Sequence, residues 1–205
     1  MFPLAFALIA GATYLAGALL LGSFPNGVQV LDRAGMDAAR ELRSAWLTTV
    51  AVALTSAGDA EVVTIVLGSA LVGAAIARSR PWAGFFSLAF VGAFGIHNLV
   101  KPLVGRERPA LDPLVEIGGY AFPSGHATAG AVLYGALIVV AVVKWGPRRG
   151  GLAGALLVAI ALGVGLSRIY LGVHWPTDVA AGLIAGGTWV YVATRLSGVL
   201  HEPRA

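Results

Sequence analysis

Long uncharged apolar stretches alternate with short charged breaks along the chain, at a spacing that reads as membrane helices rather than strands. A spanning helix needs about 20 mostly apolar residues. No charge precedes Asp32, and Phe2–Gly22 is the natural first span. It lacks the basic leader of a secretory signal and is long for one, so it is expected to be retained. Val62–Ala77 lies between Glu61 and Arg78 and is short unless it begins near Gly58. Trp82–Val100, Phe122–Val143, Gly151–Ser167 and Pro176–Thr194 complete six spans, an even count that puts both termini on one side.

The segment Asp32–Ser56 follows a different pattern. Asp32, Arg33, Asp37, Arg40, Glu41 and Arg43 interleave with Leu31, Met36, Leu42, Trp46 and Leu47. That is an amphipathic helix, followed by an uncharged stretch too short to cross comfortably; the segment is expected at the interface, with a seventh, partial span as the alternative. The predicted architecture is an all-α integral membrane protein. It is a six-transmembrane-helix bundle with an amphipathic interfacial helix between the first and second spans, in a single domain over residues 1–205. The Gly182–Gly186 spacing is expected to let two helix backbones approach closely.

Composition narrows the class. The chain is 58% hydrophobic with 28 further glycines and 12% charged, where soluble domains carry about 45–50% apolar residues, glycine included, and about 25% charged ones. Soluble and disordered classes are excluded. The absence of cysteine excludes disulfides and thiolate metal sites. The net charge is +4, yet no basic run reaches the length of a nucleic-acid tail, so no nucleic-acid partner is expected.

Lysine and arginine divide evenly between the two sides, seven each. Arg78, Arg80, Lys144, Arg148, Arg149, Arg195 and Arg204 fall on one side, and the first five crowd two tight loops. Arg33, Arg40, Arg43, Lys101, Arg106, Arg108 and Arg168 fall on the other, with nine of the ten acids. Because the positive-inside rule weighs short loops, the Arg78/Arg149 side is assigned to the cytoplasm. Trp82 and Trp145 flank those loops as interfacial aromatics do.

Ionisable groups near a membrane core are costly and point to function. Here they gather at one face: Lys101 at the end of the third span, Arg108-Pro109 in the loop, and Pro123-Ser124-Gly125-His126 at the start of the fourth. Ser167-Arg168 closes the fifth, and His174 and Asp178 flank the start of the sixth. Three cations suit the oxygens of a phosphate, and arginine grips two at once. The fourth and sixth spans aim their amide-rich N-termini at the same place. Ser124 offers a hydroxyl, Gly125 allows close approach, and Pro176 fits a first helical turn. Asp178 can reach one ring nitrogen of His174 and leave the other as a nucleophile; His126 can serve as the acid. Singly, each has a plainer reading: Pro-Ser-Gly-His as a helix cap, Lys101 or Arg168 as snorkelling cations, His174 as a satisfied interfacial histidine. His97, one turn before Lys101, reads as packing or support.

Lys101-x6-Arg108-Pro109, Pro123-Ser124-Gly125-His126 and Ser167-Arg168-x5-His174-x3-Asp178 resemble the three-part signature of the type 2 phosphatidic acid phosphatase superfamily. Its membrane members hydrolyse lipid phosphates and diphosphates. The resemblance implies that His174 is the nucleophile, forming a phosphohistidine, Asp178 its orienting partner and His126 the general acid. Lys101, Arg108, Ser124, Gly125 and Arg168 would bind the phosphoryl group. It implies no metal and no cofactor.

The function so implied is a membrane lipid phosphatase with its site on the outer face of a bacterial plasma membrane. Undecaprenyl diphosphate, phosphatidylglycerol phosphate and phosphatidate are the candidate substrates, with a leaning to the first. The lipid tail is expected to stay in the bilayer, with the amphipathic segment bordering the entrance. Two other readings remain open on these residues: a lipid phosphotransferase using the same phosphohistidine, and a non-catalytic anionic-lipid transporter or scaffold, which would need neither nucleophile nor acid.

Overall fold

A computed structural model describes residues 2–23, 25–110 and 112–202; Arg204, counted above with the inner cations, lies outside them. They form helices joined by turns and loops, with no strand among them. The order is α1 (Phe2–Ser23), α2 (Pro25–Glu41), α3 (Ala45–Ser56), α4 (Ala60–Ile76), α5 (Arg80–Val104), α6 (Gly125–Tyr170) and α7 (Pro176–Ser197), closed by a short 3-10 turn at Val199–His201. Among the described residues, five helical runs are long and apolar enough to cross a membrane: Phe2–Ser23, Ala45–Ile76, Arg80–Val104, Gly125–Tyr170 and Pro176–Ser197.

The 46-residue α6 is not one rod. Gly146 takes φ 78 and ψ 171, outside helical geometry, and Pro147 follows it. Gly150 packs against the backbone of Ala141 and Val142, Gly154 against Ile138, and Gly130 against Val164. The chain before Gly146 therefore runs antiparallel to the chain after it. This hairpin matches the expected break between Val143 and Gly151.

The region after α1 departs from the expectation for Asp32–Ser56, an amphipathic helix and a following uncharged stretch, both at the interface. The chain leaves helical geometry at Leu42–Ser44, and α3 then runs on through a short turn into α4 as one apolar stretch. The cause is the charge pattern: the last charge of the cluster is Arg43, and none follows until Asp59. Arg43 fixes the break by donating to the Asp112 carboxylate at 3.1 Å and to the Tyr170 carbonyl at 3.4 Å. The faces of α2 also differ from the expected polar and apolar split. Its inward side carries Val28, Asp32 and Met36, while Leu31 points outward, as does Leu42 just past its end.

The core lies where α4, α5, both arms of α6 and α7 meet. Trp189 is fully buried there; its indole N–H donates to the Leu88 carbonyl at 2.8 Å, and Phe6 stacks edge-on at 5.3 Å. Gly182 and Gly186 bring α7 against the start of α6, near the carbonyls of Ser124 and Thr128, so the expected close approach is present. By contrast, Leu4, Leu8, Leu19, Ile65, Ile76, Leu152, Leu156 and Ile184 are exposed on the outside. An apolar rind of this extent needs lipid rather than water, and the chain is an integral membrane protein. In lipid, helices associate through close packing and hydrogen bonds more than through burial of apolar area, which is the role of Trp189 and the small residues here.

Helix ends then place the chemistry. α5 stops at Gly105, whose φ of 64 turns the chain left-handed into the loop carrying Arg106 and Arg108. Ser124 caps α6, and Pro176 opens α7. Both N-termini and the end of α5 reach the same end of the bundle. At the opposite end Ser79 donates to the Glu202 carboxylate at 2.9 Å, joining the α4–α5 turn to the C-terminal segment.

Candidate active site

A cavity of about 330 Å³ lies where the end of α5 meets the start of α6 and the α6–α7 turn. Lys101, Arg108, Gly125, His126, Arg168 and His174 line it together with His97, Asn98, Phe94, Gly58 and Ala60. Six of the eight residues singled out in the sequence thus share one wall. The other two, Ser124 and Asp178, are fully buried behind it. The Ser124 hydroxyl faces the Ala127 amide as a helix cap at 3.5 Å, and the Ser124 amide donates to the Asp178 carbonyl at 3.0 Å, tying α6 to α7. His97 packs its ring against Gly125.

His174 stands in the turn between α6 and α7. Its Nε2 faces Arg108 Nη1 at 3.0 Å, and its Nδ1 lies 3.4 Å from Asp178 Oδ2. Burial above all, then the charges of Arg108, Lys101 and Arg168 with His126, holds the imidazole well below its ordinary value of 6.5. The ring is neutral at pH 7, and its Nε2 lone pair points toward the guanidinium. Burial also lowers the Arg108 guanidinium from its ordinary value, partly offset by Asp178.

The Asp178 carboxylate is held from three sides. The Trp175 amide donates to Oδ2 at 2.9 Å, Arg106 Nη1 donates to Oδ1 at 2.6 Å, and His174 sits in front. Arg106 in turn donates through Nη2 to Asp32 of α2. Asp32 also accepts from the Thr177 amide at 3.0 Å and from its hydroxyl at 2.8 Å. Trp175 covers the guanidinium, 5.4 Å from ring centroid to Cζ.

The cations differ in how they are engaged. Lys101 donates to the Tyr120 carbonyl at 2.6 Å, and Arg108 to the carbonyls of Gly118, Gly119 and Val173. Arg168 is 2% exposed and uses Nη1 on Thr55 at 2.6 Å, while its Nε and Nη2 are buried without a partner among the described residues. Buried guanidinium donors are rarely left idle, and an anion in the cavity would occupy them. His126 meets Asp59 Oδ1 at 2.9 Å through Nε2. No group of three or more histidine and carboxylate ligands comes together among the described residues.

Arg106, Asp32, Thr177, Thr55 and Asp59 are the site's neighbours that sequence reasoning did not find. Arg106 carried one signal, its position two residues before Arg108. Thr177 stands next to Asp178, whereas Asp32, Thr55 and Asp59 lie far away in the chain from their partners and join only through the fold. Around the cavity the elements divide: Arg33 and Asp37 of α2 line a neighbouring space that shares Arg108 with it. α2 contributes nothing to the cavity lining and packs behind Asp178 through Asp32, whereas Gly58, Ala60, Phe94 and Asn98 put α4 and α5 at the opening.

A family profile of the PAP2 superfamily matches residues 80–201, from the start of α5 through the last described turn. The chain belongs to the PAP2 superfamily. Among PAP2 proteins it is 34% identical over 166 residues to phosphatidylglycerophosphatase B of Bacillus subtilis (strain 168), covering 78% of this chain and 80% of the relative. It is 29% identical over 170 residues to lipid A 1-phosphatase of Rhizobium etli, covering 75% of this chain and 65% of that one. The crystal structure of a transmembrane PAP2-type phosphatidylglycerolphosphate phosphatase from Bacillus subtilis superposes with a TM-score of 0.80 at 25% identity, over 92% of this chain and 94% of the other. The PAP2 match begins after Asp59, so α1 to α4, with Asp32, Thr55 and Asp59, lie outside it.

Proposed function

We propose that this membrane phosphatase removes the terminal phosphate of a lipid phosphate at the outer face of a bacterial plasma membrane, through a phosphohistidine on His174. The carrying observation is that Arg168, which lines the cavity together with His174 and His126, has two buried nitrogens without a partner among the described residues. Lys101, Arg108, Arg168 and the amides at the start of α6 would neutralise the equatorial oxygens, the main requirement of phosphoryl transfer. His174 Nε2 would attack phosphorus in line with the departing lipid oxygen, with Asp178 orienting the ring. His126 would protonate that oxygen, then take a proton from the water that cleaves the phosphohistidine. In this reading Gly125 contributes its backbone, and Ser124 acts through the helix cap.

Counting the two arms of α6 separately gives six crossings, with both termini and the Arg78 and Arg149 loops in the cytoplasm. The names of the relatives, a phosphatidylglycerophosphatase and a lipid A 1-phosphatase, favour phosphatidylglycerol phosphate first, ahead of phosphatidate and undecaprenyl diphosphate. The test is phosphate release by purified protein across these lipids, with and without EDTA. Expected is stoichiometric free phosphate that persists in EDTA and falls with vanadate. Phosphate recovered on a lipid or sugar acceptor instead would make it a transferase, and activity lost to EDTA and restored by a metal would refute the phosphohistidine route.

A further inference from the structure

We propose that Asp59, in the turn between α3 and α4, is a positioning residue for His126: its carboxylate holds the imidazole Nε2 and leaves Nδ1 as the nitrogen that exchanges a proton with the leaving group. The proposal rests on the reading of His126 as general acid and adds a second aspartate–histidine pair to the cavity, alongside Asp178 and His174.

Asp59 sits at the N-cap of α4, where an aspartate side chain ordinarily accepts from the helix's own amides. Here it makes no such bond and reaches His126 instead, at 2.9 Å. The turn that carries it is seated against α6 at independent points. Tyr134 of α6 donates its hydroxyl to the Ala57 carbonyl at 2.9 Å. Gly58 is buried with no room for a Cβ, which would run into Val164 and approach the His126 carbonyl. A turn locked in this way fixes the carboxylate relative to the start of α6. The reacting side of the imidazole is then set by the bond on its other side, the logic by which a carboxylate fixes a catalytic histidine's tautomer. Among the described residues Nδ1 of His126 has no hydrogen-bond partner, so it remains available. Asp59 is half-exposed, and replacing it leaves no buried charge uncompensated.

The test compares two esters in the Asp59→Asn, Asp59→Glu and His126→Ala variants: a long-chain phosphatidate, whose alkoxide must be protonated to leave, and p-nitrophenyl phosphate, whose phenolate leaves unaided. The readout is formation of the phosphoenzyme by rapid quench. Asp59→Asn is expected to slow that step at least tenfold with phosphatidate and less than threefold with p-nitrophenyl phosphate, with KM for phosphatidate within about twofold. Asp59→Glu should recover part of the loss, and Asp59→Asn added to His126→Ala should cost nothing more. Equal losses on both esters, an unaffected Asp59→Asn, or full additivity with His126→Ala would overturn the proposal. A His126→Ala variant that forms phosphoenzyme from phosphatidate at the parent rate would instead refute His126 as the acid.

Discussion

Arg106 donates to Asp178 at 2.6 Å from the side opposite His174, and the same guanidinium holds the buried Asp32 of α2. The carboxylate behind His174 is thereby paired with a cation that does not line the cavity, and that cation's second partner belongs to a helix outside the family match. Removing one member of a buried ion network costs about 3–5 kcal/mol because the survivors stay charged and unpaired. Arg106→Gln should therefore lower thermal stability markedly and reduce kcat more than it raises KM. Asp32→Asn, which keeps an acceptor for Thr177, should do less of both. Melting curves in detergent and steady-state kinetics check this. An Arg106→Gln protein with parental kcat would mean that Asp178 needs no such support.

His174→Ala should abolish turnover and any acid-labile phosphoenzyme. Asp178→Asn should retain substrate binding and lose kcat by roughly a hundredfold to ten-thousandfold, since it disturbs the imidazole and leaves the phosphate cradle intact. Phosphoenzyme trapping with labelled substrate separates the two. Label retained in His174→Ala would place the covalent step on another residue.

The motif residues were legible because each segment carries its own local signal: Ser124 and Pro176 as helix starts, and Lys101, Arg108 and Arg168 as charges that lipid does not tolerate without a use. The break in α6 was legible from Arg148 and Arg149. Asp32 was not. Its spacing placed it with Arg33 and Asp37 on a polar face, and only contact with Arg106, 74 residues away, makes burial affordable. Asp59 drew no reading at all, and nothing local says that its carboxylate turns to His126. The boundary between α2 and α3 was misjudged because Trp46 and Leu47 continue the apolar spacing of the amphipathic stretch after the charges have stopped.

The pH profile follows from the burial of His174. An exposed histidine loses its free lone pair as pH falls through 6.5, but burial and then the Arg108, Lys101 and Arg168 charges keep His174 neutral well below that. The acid limb of kcat/KM due to His174, which reports the free enzyme, should therefore lie below 6.5. Arg108→Gln removes one of the causes and should move that limb upward toward 6.5. A downward shift, or none, would show that Arg108 does not act on His174.

Orientation can be read by labelling, since the chain has no cysteine of its own. With the cavity outside, an impermeant thiol reagent applied to intact cells should modify Leu114→Cys in the α5–α6 loop and spare Arg149→Cys in the α6 hairpin. The opposite pattern would invert the assignment and put the substrate phosphate in the cytoplasmic leaflet.

Entry of the lipid is the remaining step with a structural handle. The cavity is lined on its α4–α5 side by Ala60 and Asn98, both exposed, and by the half-buried Phe94. A lipid whose tail stays in the bilayer can bring its phosphate to Arg168 and His174 sideways between these helices, without leaving the membrane. Ala60→Phe adds a ring at the opening and touches none of the cations. It should raise KM, or lower kcat/KM, at least tenfold for a long-chain phosphatidate. A short water-soluble phosphate ester can arrive from the Arg108 side instead, where an adjoining space of about 580 Å³ opens between Arg108, Glu116 and Val173, and its rate should change little. Kinetics on the two substrates decide the matter. Equal losses would mean that the ring disturbs the site itself, and no loss on the long-chain lipid would mean that it enters by another route.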